Sequence, residues 1–219
     1  MLTVDLINKN IPRLQLPDTV SKALQLINDF RVSHLPVISE GKFLGLISEE
    51  DLLDADKKIA IEFLQKNFVN ASVQDNIHFL NAVNSSIQFD TTVVPVVNGE
   101  NDFMGVITSS DLLKALGSFS GANEIGGIIV LDMERSQFAI SEISRIVESN
   151  DCSILHLNTT ANPLTGILTV TLHINKREIA ALIATFERYD YEVTYYFGNE
   201  KFENEINDNY RHLMNYLDI

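Results

Sequence analysis

The chain is poor in cysteine, in cationic side chains and in long apolar segments. Cys152 is its only cysteine, which excludes an intramolecular disulfide and is typical of a reducing compartment. No apolar run approaches the length that spans a bilayer, and residues 1–12 lack the continuous apolar core of a signal peptide. The sequence therefore predicts a cytoplasmic protein that is not inserted in a membrane.

The charge balance excludes two classes of partner. The 219 residues include 16 Lys and Arg against 30 Asp and Glu, which gives a formal net charge of −14. Because nucleic-acid binding depends on cationic neutralisation of phosphates, we expect no DNA or RNA partner, and no polybasic face is present for anionic lipid. A hydrophobic content of 45% is typical of a globular protein with one large domain or two moderate ones.

One segment in the first half of the chain occurs twice, about sixty positions apart. Residues 34–38 (HLPVI) and 45–53 (GLISEEDLL) return as residues 93–97 (VVPVV) and 105–113 (GVITSSDLL). One copy is too short to bury a core of its own. We therefore expect the two copies to pack together and to form a cleft about a pseudo-twofold axis.

Hydrophobic spacing predicts the same order of elements in both copies: a helix, two strands and a second helix. The predicted strands cover residues 35–38, 43–47, 93–97 and 103–107, and the first helices follow residues 17–19 and begin near Leu80. Residues 54–68, between the copies, predict a helical connector that carries charge.

The second half of the chain shows a different pattern. Strands are predicted at residues 127–133, 152–157, 166–174 and 191–197, with a turn at 159–165 and helices near residues 140–147 and 179–186. This order describes a ferredoxin-like βαββαβ sandwich. Residues 200–219 predict an amphipathic helical tail that docks on a neighbour.

These boundaries divide the chain into four parts. They are a first repeat with its connector (1–68), a second repeat (69–120), the βαββαβ domain (121–199) and the tail (200–219). The boundary near residue 121 follows from the flexible stretch at residues 117–123. The expected fold class is α+β.

The repeated pattern Gly-apolar-apolar-Ser/Thr-x-x-Asp, at residues 45–51 and 105–111, resembles the CBS domain, named for cystathionine beta-synthase. Two CBS domains in tandem form a Bateman module, a ligand-binding unit, and this resemblance covers about residues 14–116. Residues 126–197 resemble an ACT domain, a regulatory fold that often binds amino acids at subunit interfaces. A CBS pair followed by an ACT-like domain is similar in layout to the acetoin-utilisation regulator family.

The repeated motif pairs a hydroxyl with a carboxylate three positions later, as Ser48 with Asp51 and as Thr108 with Asp111. At the start of a helix these groups point the same way and can bind the vicinal diol of a ribose, with about 1.5–3 kcal/mol for each charge-assisted hydrogen bond. The same residues also fit a capping box. We expect the cap in both copies and ribose binding in at least one.

The resemblance further implies that the strand before each Pro, together with short strands at residues 14–16 and 72–74, frames the nucleobase with backbone groups. The residues concerned are Leu16, Val32, His34, Leu35, Val73, Val93 and Val94.

Cationic residues are distributed unequally between the copies. Residues 70–111 contain no Lys or Arg, whereas the first copy offers Arg31 and His34 as candidates to bind phosphate. Because a polyphosphate needs several cations or a metal, we expect unequal occupancy of the clefts. AMP or S-adenosylmethionine is favoured over ATP, with ADP as a further candidate. A histidine within an apolar strand is more often structural, so His34 has both interpretations.

The predicted function is a non-catalytic regulatory module. It binds an adenine nucleotide or related adenosyl ligand between the CBS domains and transmits occupancy to a homodimer, a higher homo-oligomer or a protein partner. In the ACT-like region, residues 134–139 (ERSQFA) lack the Pro-Gly turn of ligand-binding relatives, which favours subunit pairing over amino-acid binding.

Two alternatives are a structural or protein-interaction adaptor with empty clefts, and an enzyme. No phosphate loop, nucleophile elbow or His-Glu-x-x-His motif occurs, so no catalytic residue or catalytic cofactor is predicted. His156 and His173 could face each other on adjacent strands, but two histidines alone do not predict a metal site. Cys152 is expected to be a buried structural thiol.

Overall fold

The computed structural model describes residues 1–198, so the tail predicted at residues 200–219 lies outside the described residues. The chain divides into two compact units, Met1–Leu116 and a second unit that begins at Gly117. Both units contain helices and strands, and the predicted α+β class is confirmed. The three predicted domain boundaries stay predictions.

The first unit contains two copies of one arrangement. The first copy consists of β1 (Leu14–Gln15), α1 (Val20–Phe30), β2 (His34–Ser39), β3 (Lys42–Ser48) and α2 (Glu49–Leu53). The second consists of β4 (Val73–Gln74), α3 (Leu80–Phe89), β5 (Val93–Val97), β6 (Phe103–Thr108) and α4 (Ser109–Phe119). Each copy forms a three-stranded sheet in which the first two strands pair in parallel and the last two antiparallel. The predicted strands of both copies are confirmed.

Equivalent residues of the two copies contact each other. The rings of Phe43 and Phe103 stack with their centroids 6.5 Å apart. The Ser33 N–H donates to the hydroxyl of its counterpart Thr92 at 3.0 Å. Because each of these residues touches its own equivalent, a pseudo-twofold axis relates the copies. The predicted packing of one copy on the other is confirmed.

The first helix of each copy ends in the same way. Arg31 ends α1 with φ 53°, and Asp90 ends α3 with φ 49°, both in the left-handed region that closes many helices. The stripe Val20, Ala23 and Ile27 of α1 is buried in the core, as its helical spacing predicts. Arg31 and Asp90 therefore occupy equivalent positions, where one copy has a cation and the other an anion.

The helical connector predicted at residues 54–68 is helical only in its second half. Helix α2 ends at Leu53, and only a 3₁₀ helix, Ile61–Asn67, follows. The turns and bends between them hold the start of α1, because the carbonyls of Lys57 and Ile59 accept hydrogen bonds from the N–H groups of Ser21 and Val20 at 2.9 and 3.0 Å. The connector thus satisfies the first amides of α1, which have no partner inside that helix.

The segment that precedes each copy packs on the last strand of the other copy. Asn8 and Val106 of β6 form one bridge, and Val69 and Leu46 of β3 form the other. The Asn8 N–H donates to the Val106 carbonyl at 2.7 Å, and the Leu46 N–H donates to the Val69 carbonyl at 2.8 Å. This exchange brings two asparagines, described below, to the repeated motif.

The second unit forms a four-stranded antiparallel sheet in the order β10-β7-β9-β8. Its elements are β7 (Gly127–Met133), α5 (Ile140–Ser149), β8 (Ile154–Ala161), β9 (Leu168–Ile174), α6 (Ala180–Arg188) and β10 (Glu192–Phe197). This is the predicted ferredoxin-like βαββαβ topology, which is therefore confirmed. The turn predicted at residues 159–165 is shifted, because β8 continues to Ala161 and pairs there with Leu168.

The two helices of this unit pack on one face of its sheet. Their buried side chains share a core with alternate residues of the strands, among them Ile129, Leu131 and Leu172. Cys152 belongs to this core, as predicted, and burial raises the pKa of its thiol. The opposite face of the sheet carries the other alternate residues, which include Thr171 and His173.

Candidate functional site

The first hydroxyl–carboxylate pair begins helix α2. The Ser48 hydroxyl accepts a hydrogen bond from the Asp51 N–H at 3.1 Å and donates one to Asp51 Oδ2 at 2.6 Å. The amide of Asn67 donates to Asp51 Oδ1 at 2.6 Å. The predicted cap is therefore confirmed, and both carboxylate oxygens of Asp51 already accept hydrogen bonds within the chain.

The second pair, at the start of α4, has the same cap but a more open carboxylate. The Thr108 hydroxyl accepts from the Asp111 N–H at 3.2 Å and donates to Asp111 Oδ2 at 2.6 Å, while the Thr108 N–H donates to the same oxygen at 3.4 Å. Asn8 donates to Oδ2 as well, at 3.4 Å. Among the described residues, only the Lys114 ammonium approaches Oδ1, at 3.9 Å, so this oxygen accepts no hydrogen bond there.

Asp111 is held in its ionised form. Burial by itself raises the pKa of this carboxyl. Hydrogen bonds from the Thr108 hydroxyl, the Asn8 amide and the Thr108 N–H, together with the Lys114 charge, outweigh burial and hold the pKa below its ordinary value. At neutral pH, Asp111 therefore offers a charged acceptor at Oδ1.

A cavity of about 430 Å³ opens beside the first pair. It is lined by Ser33, His34, Ser48, Glu49, Glu50, Leu53, Asp54 and Asp90. Four of these eight side chains are carboxylates, and no Lys or Arg is among them. The cavity therefore has a negative potential that opposes the entry of a phosphate.

The equivalent positions around the second motif carry a different charge pattern. Counted from Ser48 and Thr108, and from the two left-handed helix ends, the counterparts of Glu49, Glu50, Asp54 and Asp90 are Ser109, Ser110, Lys114 and Arg31. The four carboxylates that line this cavity thus correspond to two hydroxyls and two cations at the equivalent positions around the second motif. The pseudo-twofold axis relates the two backbones but not their electrostatics.

His34 joins the two copies. Its Nδ1 atom accepts a hydrogen bond from the Thr92 N–H at 3.3 Å and lies 3.3 Å from the Thr92 hydroxyl. Burial lowers the pKa of His34, and the nearby charges of Asp90 and Asp51 offset this only in part. The hydrogen bond from the Thr92 backbone and the neighbouring carboxylates favour the structural interpretation of His34. A contact of His34 or Arg31 with phosphate stays a prediction.

The predicted nucleobase-framing residues lie in and beside the two cores. Val32, Leu35, Val73, Val93 and Val94 are buried, and Leu16 is partly buried against the same core. Because these side chains pack inward, any contact with a base would use backbone groups, as the resemblance implies. Their role stays a prediction.

The sequence reasoning did not identify Asn8 and Asn67 as partners of the motif. Each lies in the segment before a repeat and reaches the aspartate of the other repeat only through the exchange of these segments. The one sequence signal that could have indicated them is that an Asn occurs at the equivalent position before each repeat.

Within residues 1–198, no three His, Cys, Asp or Glu side chains are grouped so as to hold a metal ion. No helix in the range combines the length and the apolar content that a bilayer span requires.

Comparison with known proteins identifies the repeated unit. The CBS domain family matches residues 4–58 and 68–118. The chain is 27% identical over 119 residues to a homoserine O-acetyltransferase of Methanobrevibacter ruminantium, and the match covers 52% of this chain and 24% of that protein. It is 26% identical over 164 residues to an inosine-5'-monophosphate dehydrogenase of Methanocaldococcus jannaschii, with 69% of this chain and 32% of that protein covered. The chain thus spans a third or less of the length of these two relatives.

Among solved structures, a CBS domain pair/ACT domain protein from Thermotoga maritima has the same fold over the matched region. The TM-score is 0.50 and the identity 21%, over 54% of this chain and 98% of that one. With the duplicated motif, the two matched ranges and this shared fold, residues 4–58 and 68–118 are a tandem pair of CBS domains, and the first half of this chain belongs to the CBS domain family.

Proposed function

We propose that this chain is a non-catalytic regulatory module whose CBS pair binds an adenine nucleotide or a related adenosyl ligand. Thr108 and Asp111 of the second repeat hold the ribose, and occupancy is passed to a homodimer or to a protein partner. The candidate ligands are AMP, ADP, ATP and S-adenosylmethionine.

The observation that carries this proposal is the difference between the two aspartates. Asp51 uses both carboxylate oxygens in hydrogen bonds to Ser48 and Asn67. Asp111 is ionised and keeps Oδ1 without a hydrogen bond from any described residue. A ribose hydroxyl that donates to Oδ1 forms a charge-assisted bond without displacing a partner already in place.

The charges around the second motif favour a ligand with one phosphate. Arg31 and Lys114 provide two cations, which match a monophosphate better than a triphosphate. The acidic cavity of the first repeat repels phosphate, whereas S-adenosylmethionine carries no phosphate and has a cationic sulfonium. AMP therefore fits the second cleft, and an adenosyl cation fits the first.

Calorimetric titration of the full chain with AMP tests the proposal. Asp111→Ala removes the open acceptor, and we expect it to weaken AMP binding at least tenfold, since a hydrogen bond to a charged group contributes about 1.5–3 kcal/mol. Asp51→Ala is the matched control in the other copy and should change the affinity less than about threefold. Saturable binding that responds equally to both variants, or no binding of any adenosine compound with or without Mg²⁺, contradicts the proposal. The second result favours the adaptor with empty clefts.

The regulatory half of the proposal has its own test. A ligand shifts the arrangement of a protein only by binding one arrangement more tightly than another. We expect saturating AMP to change the solution scattering profile of the full chain. AMP binding with an unchanged scattering profile would support the nucleotide site but contradict the proposal that its occupancy is transmitted.

A further inference from the structure

Each repeat receives an asparagine at its motif aspartate, but the two asparagines bind different oxygens. In both repeats the motif hydroxyl donates to Oδ2, so the Oδ1 atoms of Asp51 and Asp111 are equivalent. Asn67 donates to Oδ1 of Asp51 at 2.6 Å, whereas Asn8 donates to Oδ2 of Asp111 at 3.4 Å. The oxygen that is proposed to hold a ribose in the second repeat is therefore occupied by an amide in the first.

The cause is a difference of two residues in how the exchanged segments pair with the strands. Val106 follows a motif glycine and forms its bridge with Asn8 itself. Its counterpart Leu46 forms its bridge with Val69, which lies two residues after Asn67. Counted back from β1 and β4, by contrast, both asparagines have the same position. The same spacing before each repeat thus brings the amide to a different oxygen of each carboxylate.

Asn67 stands where a ribose hydroxyl would donate in the first repeat. A donor 2.6 Å from a carboxylate oxygen is at the short end of the range for hydrogen bonds, and bonds to charged acceptors are among the strong ones. The side chain is half-buried at the end of the 3₁₀ helix Ile61–Asn67. A ligand must break this bond before its own hydroxyl can donate to Asp51 Oδ1.

Asn8 leaves Oδ1 of Asp111 open and holds the opposite oxygen. Its backbone N–H donates to the Val106 carbonyl at 2.7 Å, and its side-chain oxygen accepts from the Asn10 N–H at 2.9 Å. Because the side-chain oxygen is engaged in this way, the amide nitrogen is the group that faces Asp111. The contact of 3.4 Å is long, but hydrogen bonds in binding sites often shorten once a ligand is present.

We propose that the two exchanged asparagines decide which motif binds a ribose. Asn67 closes the first motif as an internal competitor of the ligand, and Asn8 is a positioning residue of the second motif. This inference rests on the proposed function and explains why two equivalent motifs differ in use. Its consequence is that loss of the Asn67 amide opens a second adenosyl site, which contains Asp51.

Calorimetric titration of the full chain with adenosine tests the role of Asn67. Adenosine has no phosphate for the carboxylates of the first cavity to repel. We expect one site in the unchanged protein and two in Asn67→Ala, and the added site should vanish when Asp51→Ala is combined with Asn67→Ala. Gln65→Ala, an exposed position on the same 3₁₀ helix, is the matched control and should keep one site. Asn67→Ser, whose side chain is also too short to reach the carboxylate, replaces Asn67→Ala if that variant does not fold.

Asn8→Leu tests the positioning role, because it keeps the volume of the side chain and removes the amide. AMP affinity should fall about threefold to tenfold, since the carboxylate loses one of the hydrogen bonds that orient it. The pKa of Asp111 should rise, because the Asn8 hydrogen bond helps to hold it low, and a carboxyl NMR titration measures this without any ligand. Asn10→Ala keeps the backbone N–H that orients Asn8 and alters only an exposed side chain, so it should change neither quantity.

The possible results separate this inference from the proposed function. One adenosine site in both the unchanged protein and Asn67→Ala would overturn the role of Asn67 and leave the proposed function intact. Two sites of equal affinity in the unchanged protein would overturn it as well. An Asn8→Leu variant with unchanged AMP affinity and unchanged Asp111 pKa would overturn the role of Asn8. If adenosine binds none of these proteins, the proposed function fails and the inference fails with it.

Discussion

The two CBS repeats share one backbone and differ in the charge that they place beside it. Both begin their last helix with a hydroxyl cap, both end their first helix in the left-handed region, and both receive an asparagine from an exchanged segment. The cavity beside the first motif nevertheless has four carboxylates, whereas the equivalent positions around the second motif hold two serines, Lys114 and Arg31. The caps and turns are required by the backbone, whereas exposed charges are not.

This difference shows how a duplicated unit can acquire two binding preferences. An exposed side chain contributes little to stability, so substitutions there usually leave the fold unchanged. The same substitutions strongly change the potential inside a cleft, because field lines concentrate in a concave site.

The largest effect is expected from reversing the charges of the second cleft. Arg31→Asp combined with Lys114→Asp places two anions at the positions proposed to face the phosphate. AMP affinity should fall roughly 30-fold to 100-fold, because two attractive contacts become repulsive. Calorimetric titration at low ionic strength measures this loss, which added salt should reduce.

The matched control for this double variant changes the net charge equally at a distance from the cleft. Lys57→Asp with Lys58→Asp alters two exposed side chains of the connector and should reduce AMP affinity less than threefold. If Lys57→Asp with Lys58→Asp lowers AMP affinity as much as Arg31→Asp with Lys114→Asp, the net charge of the chain decides binding and the contrast between clefts has no role.

An effect on stability, equal in both repeats, is expected at the motif glycines. A Cβ atom at Gly45 would lie 2.6 Å from Cβ of Phe68, and one at Gly105 would lie 2.5 Å from Cγ2 of Ile7, with φ of 158° and 148°. Gly45→Ala and Gly105→Ala should each lower the free energy of unfolding by about 2–3 kcal/mol, because the exchanged segment must move away. Denaturant unfolding gives these values.

Gly99 supplies the control for the glycine variants. A Cβ atom there meets nothing within 4 Å, so Gly99→Ala should change the free energy of unfolding by less than about 1 kcal/mol. A mild effect of Gly105→Ala beside a severe one of Gly45→Ala would mean that the segment at Ile7 yields more readily than the connector at Phe68. The backbone symmetry would then not extend to stability.

The smallest effect concerns His34, for which the second repeat has Val93. Burial holds the pKa of His34 below its ordinary value of 6.5, so the folded state favours the uncharged ring. Its contribution to stability is complete above 6.5 and is lost as the pH falls from 6.5 through the lower pKa of the folded state, because the unfolded chain binds the proton more readily in that range. His34→Asn, which keeps an acceptor for the Thr92 N–H, should lose less melting temperature between about pH 7.5 and 5.5 than the unchanged protein.

A His34→Asn variant with the same pH dependence as the unchanged protein would show that the imidazole at position 34 is equally protonated in the folded and unfolded chains. The cation would then be available to a phosphate.

The duplicated motif, the strand order in each repeat and the βαββαβ topology could be predicted because each rests on local spacing and turn chemistry. The structure of the connector could not be predicted, since its carbonyls accept hydrogen bonds from the first amides of α1. Those amides lie far from the connector in the sequence, and only tertiary folding brings the two together. The caps at Ser48 and Thr108 were predictable for the same reason as the strands. Asn8 and Asn67 were not, because they act on a repeat to which they do not belong in sequence.

By itself, the sequence determined that two copies of one unit pack about an internal axis and that an α+β domain follows, because periodicity and capping residues act over a few positions. Only the tertiary structure decided which carboxylate stays open. Asn67, in one exchanged segment, donates to Asp51 Oδ1. Asn8, in the other, donates to Oδ2 of Asp111, so that only Lys114 of the following helix approaches Oδ1 among the described residues. Such contacts depend on where distant backbone lies, and spacing along a chain does not encode that position.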